Sequence, residues 1–193
     1  MMKFVLALSL IVLGVLSRFL THRYHLWNMA ALGALSLYAG ARLPRWLAAV
    51  VPVLAMVISD VVINRAMNAY LFSIQQLVSY STLALIAVVG GVLARRPEPW
   101  TRAGLAIGSA LLFFLTTNFA VWSWPHGMID STPTLYDRSL AGLAQCYVMG
   151  LPFLQNQVVA ELVGVCVLFG VDALAQSVFG RWTRRELAAS EAR

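Results

Sequence analysis

The chain has 193 residues, 60% of them hydrophobic and 11% charged, and a mean hydropathy of +0.77. Soluble domains carry about 25% charged residues, so this composition excludes a globule facing water and points to a lipid bilayer as the solvent. The net charge of +6 forms no basic stripe on a soluble module, which excludes nucleic acid as a partner.

Taken in chain order, apolar runs bounded by charge, proline or polar clusters predict six membrane-spanning helices over residues 4–20, 27–41, 46–63, 71–94, 103–124 and 158–179. The first run follows Lys3 as a signal peptide would, but Leu16-Ser17-Arg18 is a poor cleavage site, so the span is expected to be retained. The second run is short. Residues 139–151 make a further helix-like stretch of about 13 residues, too short to span, expected to be interfacial or re-entrant and to end at Pro152. The expected fold is therefore all-α: a polytopic bundle of six transmembrane helices plus one short interfacial or re-entrant helix, a single unit over residues 1–180 with a polar tail at 181–193.

Lys and Arg set orientation. With the N-terminus inside, ten lie on the inner side (Lys3, Arg42, Arg45, Arg95, Arg96, Arg102, Arg181, Arg184, Arg185, Arg193) and four on the outer side (Arg18, Arg23, Arg65, Arg138). This split predicts both termini in the cytoplasm of an inner-membrane protein. The outer side then holds the chemical variety: His22, His25, His126, Asn28, Asp60, Asn68, the polar segment 74–76, Trp122, Trp124, Asp130, Tyr136 and Asp137. That asymmetry predicts a pocket opening outward, although solvated loops would give the same pattern.

Ionisable groups inside spans face the bundle interior, where they have a partner or a task. Arg18, Asp60, Glu161 and Asp172 qualify. Glu161 and Asp172, about three helical turns apart, share one face of the last helix. Asp172 is expected to meet an inner-side arginine; Arg18 is expected either to pair with Asp60 or Glu161 or to serve a ligand. Trp122 and Trp124 follow Asn118, an aromatic wall beside an amide that would suit a flat heterocycle; both also read as ordinary interfacial aromatics. His22 and His25 could present two imidazoles to a metal, with Cys146 or His126 as a third ligand, or form an interfacial pair. Cys146 and Cys166 lie outside any CxxC pattern and read as core residues. Ala30, Gly33, Ala34, Ser36 and Gly40, and again Gly104, Gly108 and Ser109, offer the small-xxx-small spacing that lets helices approach closely.

No HExxH, GxSxG, P-loop or GxGxxG motif occurs, so no enzymatic activity, catalytic residue, cofactor or resident metal is expected, and the chain does not itself couple ATP hydrolysis to transport.

Residues 147–156, Tyr-Val-Met-Gly-Leu-Pro-Phe-Leu-Gln-Asn, entering the last predicted span, resemble the substrate-binding S components of energy-coupling-factor (ECF) vitamin transporters, many of which carry a Pro-Phe-Asn-like turn there. More closely, Ala31-Leu32-Gly33-Ala34-Leu35, Ile58-Ser59-Asp60, residues 117–122 and Ala141-Gly142-Leu143 with Cys146-Tyr147 resemble an uncharacterised bacterial membrane family of this length, covering nearly the whole chain. The resemblance implies capture of a vitamin-like solute, such as cobalamin, from the outer side. The implied ligand residues are His25, Asn28, Asp60, Tyr80, Asn118, Trp122, Arg138 and Glu161. It also implies a transmembrane coupling subunit with ATPases as a partner beside the lipid bilayer. Two departures stand out. Phe72, Ser73 and Ile74 occupy the loop where a cysteine can ligate cobalt, and the first span reads Ala7-Leu8-Ser9-Leu10-Ile11 where S components carry an Ala-xxx-Ala docking face; here Ala30 and Ala34 have that spacing. The expectations left beside this one are a non-transporting membrane scaffold whose polar residues only satisfy one another, and a metal-ion uptake component using the outer histidines.

Overall fold

A computed structural model describes residues 2–67, 73–96, 98–124 and 136–191, with side chains as far as residue 178. Among the described residues the fold is all-α, with α1 at Met2–Arg23, α2 at Leu32–Arg42, α3 at Arg45–Ala66, α4 at Ile74–Leu93, α5 at Pro99–Ser123 and α6 at Leu140–Glu191. Five of these, all but α2, are long and apolar enough to cross a membrane.

The second predicted span, 27–41, is thus corrected. Its helical part is the 11 residues of α2, about 16 Å at 1.5 Å per residue and roughly half of a 30 Å hydrocarbon layer. The remainder is irregular chain leading from the end of α1, in which His25 and Asn28 adopt positive φ of 55° and 56°. Left-handed residues interrupt a helix even where the composition is apolar, and Asn is among the side chains that tolerate them best. Residues 23–28 are exposed, and Leu26, Trp27, Asn28 and Ala30 line the cavity described below, one of the settings in which irregular backbone is tolerated in a membrane protein.

The half-helix α2 is the hub of the molecule. Residues Leu32 through Gly40 are all buried; α2 packs on α1, α3, α4, α5 and α6, while α1 with α3, α3 with α4, α4 with α5 and α5 with α6 pack around it. Close approach is secured by glycine. A Cβ on Gly40 would collide with the Ala87 carbonyl oxygen and come within 2.7 Å of Gly91 Cα, where a π-helical turn at Ile86–Gly90 interrupts α4. On the opposite side Gly164 of α6 admits Ala31 and Ala34, whose Cβ atoms would lie 2.6 and 2.8 Å from a Cβ placed there. Ala34, 0% exposed, is therefore internal packing and not a surface for a coupling subunit. Gly104 and Gly108 face open space.

The short helix expected at 139–151 is also corrected: α6 runs unbroken through Pro152. An interior proline forfeits one backbone hydrogen bond, a loss the flanking turns withstand because both are anchored. Gly150 sits against Asn118 and Phe114 of α5, and Asn156 Nδ2 donates to the Trp27 carbonyl at 3.2 Å.

Exposed faces carry the apolar side chains that meet lipid: Val159, Val163, Val167 and Val171 every fourth residue along α6, and Val5, Leu8, Val12, Leu16 and Leu20 along α1. Cys146 is buried as expected, whereas Cys166 is exposed.

Candidate functional site

The first amides of α2 point into the bundle with no helical partner of their own. Glu161, reaching across from α6, accepts a hydrogen bond from Gly33 N–H at 2.8 Å and another from Ala34 N–H. Its carboxylate, 1% exposed, thus serves as an N-cap supplied by a different helix, with the helix dipole adding to the attraction. Gly33 is required for this geometry, because a Cβ there would lie 2.7 Å from Glu161 Oε1 and 2.8 Å from Ser109 Oγ. Asp172, three turns further along the same face of α6, pairs with Arg42 in the last turn of α2. The half-helix is held at both ends by one helix.

Beyond the capped end of α2 lies a cavity of about 410 Å³. Its walls come from α1, the loop before α2, and helices α2 through α6, and its lining runs from the exposed Trp27, Asn28 and Met67 to the buried Leu32, Gly33, Leu83 and Glu161. The polar lining combines five amides, Asn28, Asn64, Gln75, Gln76 and Gln157, with the hydroxyls of Thr21, Ser73 and Ser79 and the titratable Arg18, His22, Asp60 and Glu161.

Asp60 also lines the cavity, but its charge is already matched. Arg18 Nη2 pairs with Oδ1, and the Tyr80 hydroxyl donates to Oδ2 at 2.8 Å. Arg18 Nη1 further donates to Met56 Sδ at 2.9 Å. Helices α1, α3 and α4 are tied together by this triad.

The sequence-derived candidates separate accordingly. Asn28, Asp60 and Glu161 line the cavity, and Tyr80 stands behind Asp60. Asn118 belongs to the α5–α6 contact, where its Nδ2 donates to the Phe114 carbonyl at 2.8 Å and the Cys146 thiol meets its backbone oxygen at 3.4 Å. Trp122 donates through Nε1 to the Asp137 carbonyl at 3.0 Å and packs at a tilt against the Phe119 ring. Arg138 is exposed, and His25 is an exposed loop residue against the Trp27 ring; none of these four lines the cavity. His126, Asn68 and Asp130 lie outside the described residues, among which no group of three or more His, Cys, Asp or Glu could hold a metal.

Gln76, Gln157 and Asn64 carry a signal in the sequence that hydropathy alone misses. Each stands four residues from an interior polar side chain, Gln76 from Tyr80, Gln157 from Glu161 and Asn64 from Asp60, and therefore one turn away on the same helix face.

Residues 1–185 match a family model described as "Family of unknown function (DUF6580)". The chain belongs to that family. No curated protein and no solved structure matches it, so the activity has to be argued from the cavity.

Four of the five buried side-chain atoms without a hydrogen-bond partner among the described residues are Arg18 Nε, Gln75 Oε1 and both amide atoms of Gln76, all in residues that line this cavity. Buried polar groups are nearly always satisfied in native proteins, and the exceptions here are concentrated in residues around one space.

Proposed function

We propose that this member of the family is a membrane-embedded solute-binding protein that captures a small vitamin-like molecule in the cavity above α2. The observation that carries this reading is the unpartnered, 7%-exposed Gln76 amide in the lining of a 410 Å³ cavity, a volume within the range of about 300–1,000 Å³ typical of small-molecule sites. A corrinoid is far larger than this space, which favours a smaller vitamin than cobalamin.

Orientation follows from charge. Phe4 meets Trp46, Arg95 Nη2 donates to the Gly40 carbonyl at 3.4 Å, and the Arg102 guanidinium lies 4.3 Å over the Phe169 ring. Lys3, Arg42, Arg45, Arg95, Arg96 and Arg102 thus gather at the end away from the cavity. The positive-inside rule supports placing that end in the cytoplasm, so the cavity opens outward. Inward passage would then be driven, as in the S components the sequence resembles, by a coupling subunit with ATPases.

The scaffold reading draws on the Arg18–Asp60–Tyr80 triad, whose charges satisfy one another. The two readings part on protein purified in detergent from cells grown in rich medium. Native mass spectrometry is expected to find a co-purified small molecule, and a vitamin panel is expected to contain at least one compound that raises the unfolding temperature. Clean protein with no shift across the panel would select the scaffold.

A further inference from the structure

The chemistry of the unpartnered atoms narrows the ligand class. This step rests on the cavity being a solute site. Gln76, on the first turns of α4 behind the Ser73 N-cap, is 7% exposed, and neither Nε2 nor Oε1 has a hydrogen-bond partner. Gln75 Nε2 is engaged, donating to the Trp124 carbonyl at 3.1 Å, which leaves its Oε1 as a buried acceptor without a partner. Arg18 uses both Nη atoms on Asp60 and Met56 and leaves Nε–H as a buried donor without one. The residues that line the cavity therefore carry both unmatched donors and unmatched acceptors.

That mixture excludes whole classes. An inorganic anion or a simple carboxylate only accepts and would leave Gln75 Oε1 and Gln76 Oε1 unmatched; an ammonium only donates and would leave Arg18 Nε–H and Gln76 Nε2 unmatched. The Arg18 charge is committed to Asp60 and the Glu161 carboxyl to the amides of α2, which leaves His22, against the Trp27 ring, as the remaining titratable side chain of the lining. A carboxamide presents its donor and acceptor in one plane, and the partner that satisfies both at once is a planar edge with an adjacent acceptor and N–H, the geometry by which Gln reads the edge of a purine. Phe113, Leu26, Leu32, Leu83 and Met56 supply the apolar remainder of the lining.

We infer that the ligand is an uncharged planar heterocycle bearing an amide-like edge, a cyclic amide, cyclic imide or amino-substituted ring, and that Gln76 reads that edge in a bidentate manner. Gln75 Oε1 and Arg18 Nε–H are the further unmatched acceptor and donor among the lining residues.

The test uses the full chain in detergent and reads affinity by calorimetry or ligand-induced thermal shift. Probes are uracil, hypoxanthine, adenine and lumazine, each beside its N-methylated counterpart with the edge blocked, together with hexoses, neutral amino acids, benzoate and inorganic phosphate. At least one edge-bearing ring is expected to bind, with affinity falling tenfold or more on N-methylation and again in Gln76→Leu and Gln76→Glu. Binding by a hexose, amino acid or anion with no heterocycle binding would overturn this ligand class and leave the solute-binding reading intact. No binding by any probe, together with no co-purified molecule, would remove both. Equal affinity for a ring and its N-methylated partner on the unmodified protein would overturn the role of the edge, whether or not the Gln76 variants fold.

Discussion

The two ends of α2 are built differently. At its C-terminal end most of the strong groups are answered: Arg42 by Asp172, the Gly40 carbonyl by Arg95, the Phe169 ring by Tyr38 at 5.1 Å and by Arg102 above it, with Glu98 Oε2 at the start of α5 the one buried side-chain atom there without a partner among the described residues. Backbones touch through Gly40 and Gly91 with no room for a methyl group. At its N-terminal end Glu161 closes the helix, and beyond it the side chains stop interlocking; amides line a cavity and four buried polar atoms go unanswered. One half of the bundle is close-packed, and the other half gives up packing and holds four of the five unanswered buried atoms. Such sacrifices in a native protein collect at functional sites, which makes the contrast itself the strongest argument for a bound solute.

The largest effect is expected at the junction of the two halves. Glu161→Ala leaves the buried N–H groups of Gly33 and Ala34 without acceptors, a loss on the order of 2–6 kcal/mol from two buried donors left unsatisfied. Size-exclusion profiles and melting curves should show little folded protein, with partial recovery in Glu161→Gln, which keeps one acceptor. Wild-type melting in Glu161→Ala would mean that α2 does not depend on this cap.

The dry half is challenged next by glycine. Gly40→Ala forces a methyl group into the Ala87 carbonyl and should cost about 1–3 kcal/mol, whereas Gly108→Ala, with nothing within 4 Å, should leave the melting temperature unchanged. Equal tolerance at both positions would contradict the close α2–α4 contact. Arg42→Ala breaks an ion pair whose members are 37% and 18% exposed and should cost about 1 kcal/mol or less, a small drop measurable by differential scanning fluorimetry.

The smallest effect sharpens the contrast most. Gln76→Leu removes two unsatisfied buried atoms and replaces them with a side chain of similar size, so ligand-free protein should melt at the same temperature or slightly higher. A clear loss of stability would show that Gln76 holds the fold together, and the cavity half would then be no different in kind from the dry half.

Much of this was legible in the chain, for identifiable reasons. Charge counting placed Arg18, Asp60, Glu161 and Asp172 in the interior because an ion facing lipid is too costly to be there by chance, and the eleven-residue spacing put Glu161 and Asp172 on one face. Four of the eight proposed ligand residues fell on the cavity wall or directly behind it. Asn118 and Trp122 misled because polar and aromatic side chains near a span end look alike whether they face a cavity or a neighbouring helix. Gln157 was hidden among apolar neighbours, and only its one-turn offset from Glu161 marked it.

Composition and periodicity determined that the chain is a helical membrane bundle, where four of the five long helices among the described residues run to within a few residues, and which ionisable groups face inward. These properties depend on each segment's exchange between water and lipid, and a segment carries that information locally. Tertiary structure alone decided that the second apolar run is a half-helix, that α6 continues through Pro152, and which polar side chains find partners. Those outcomes depend on what stands across the interior: a loop at membrane depth needs protein around it, a proline in a helix needs flanking contacts, and an amide becomes a binding group only when nothing else in the fold answers it.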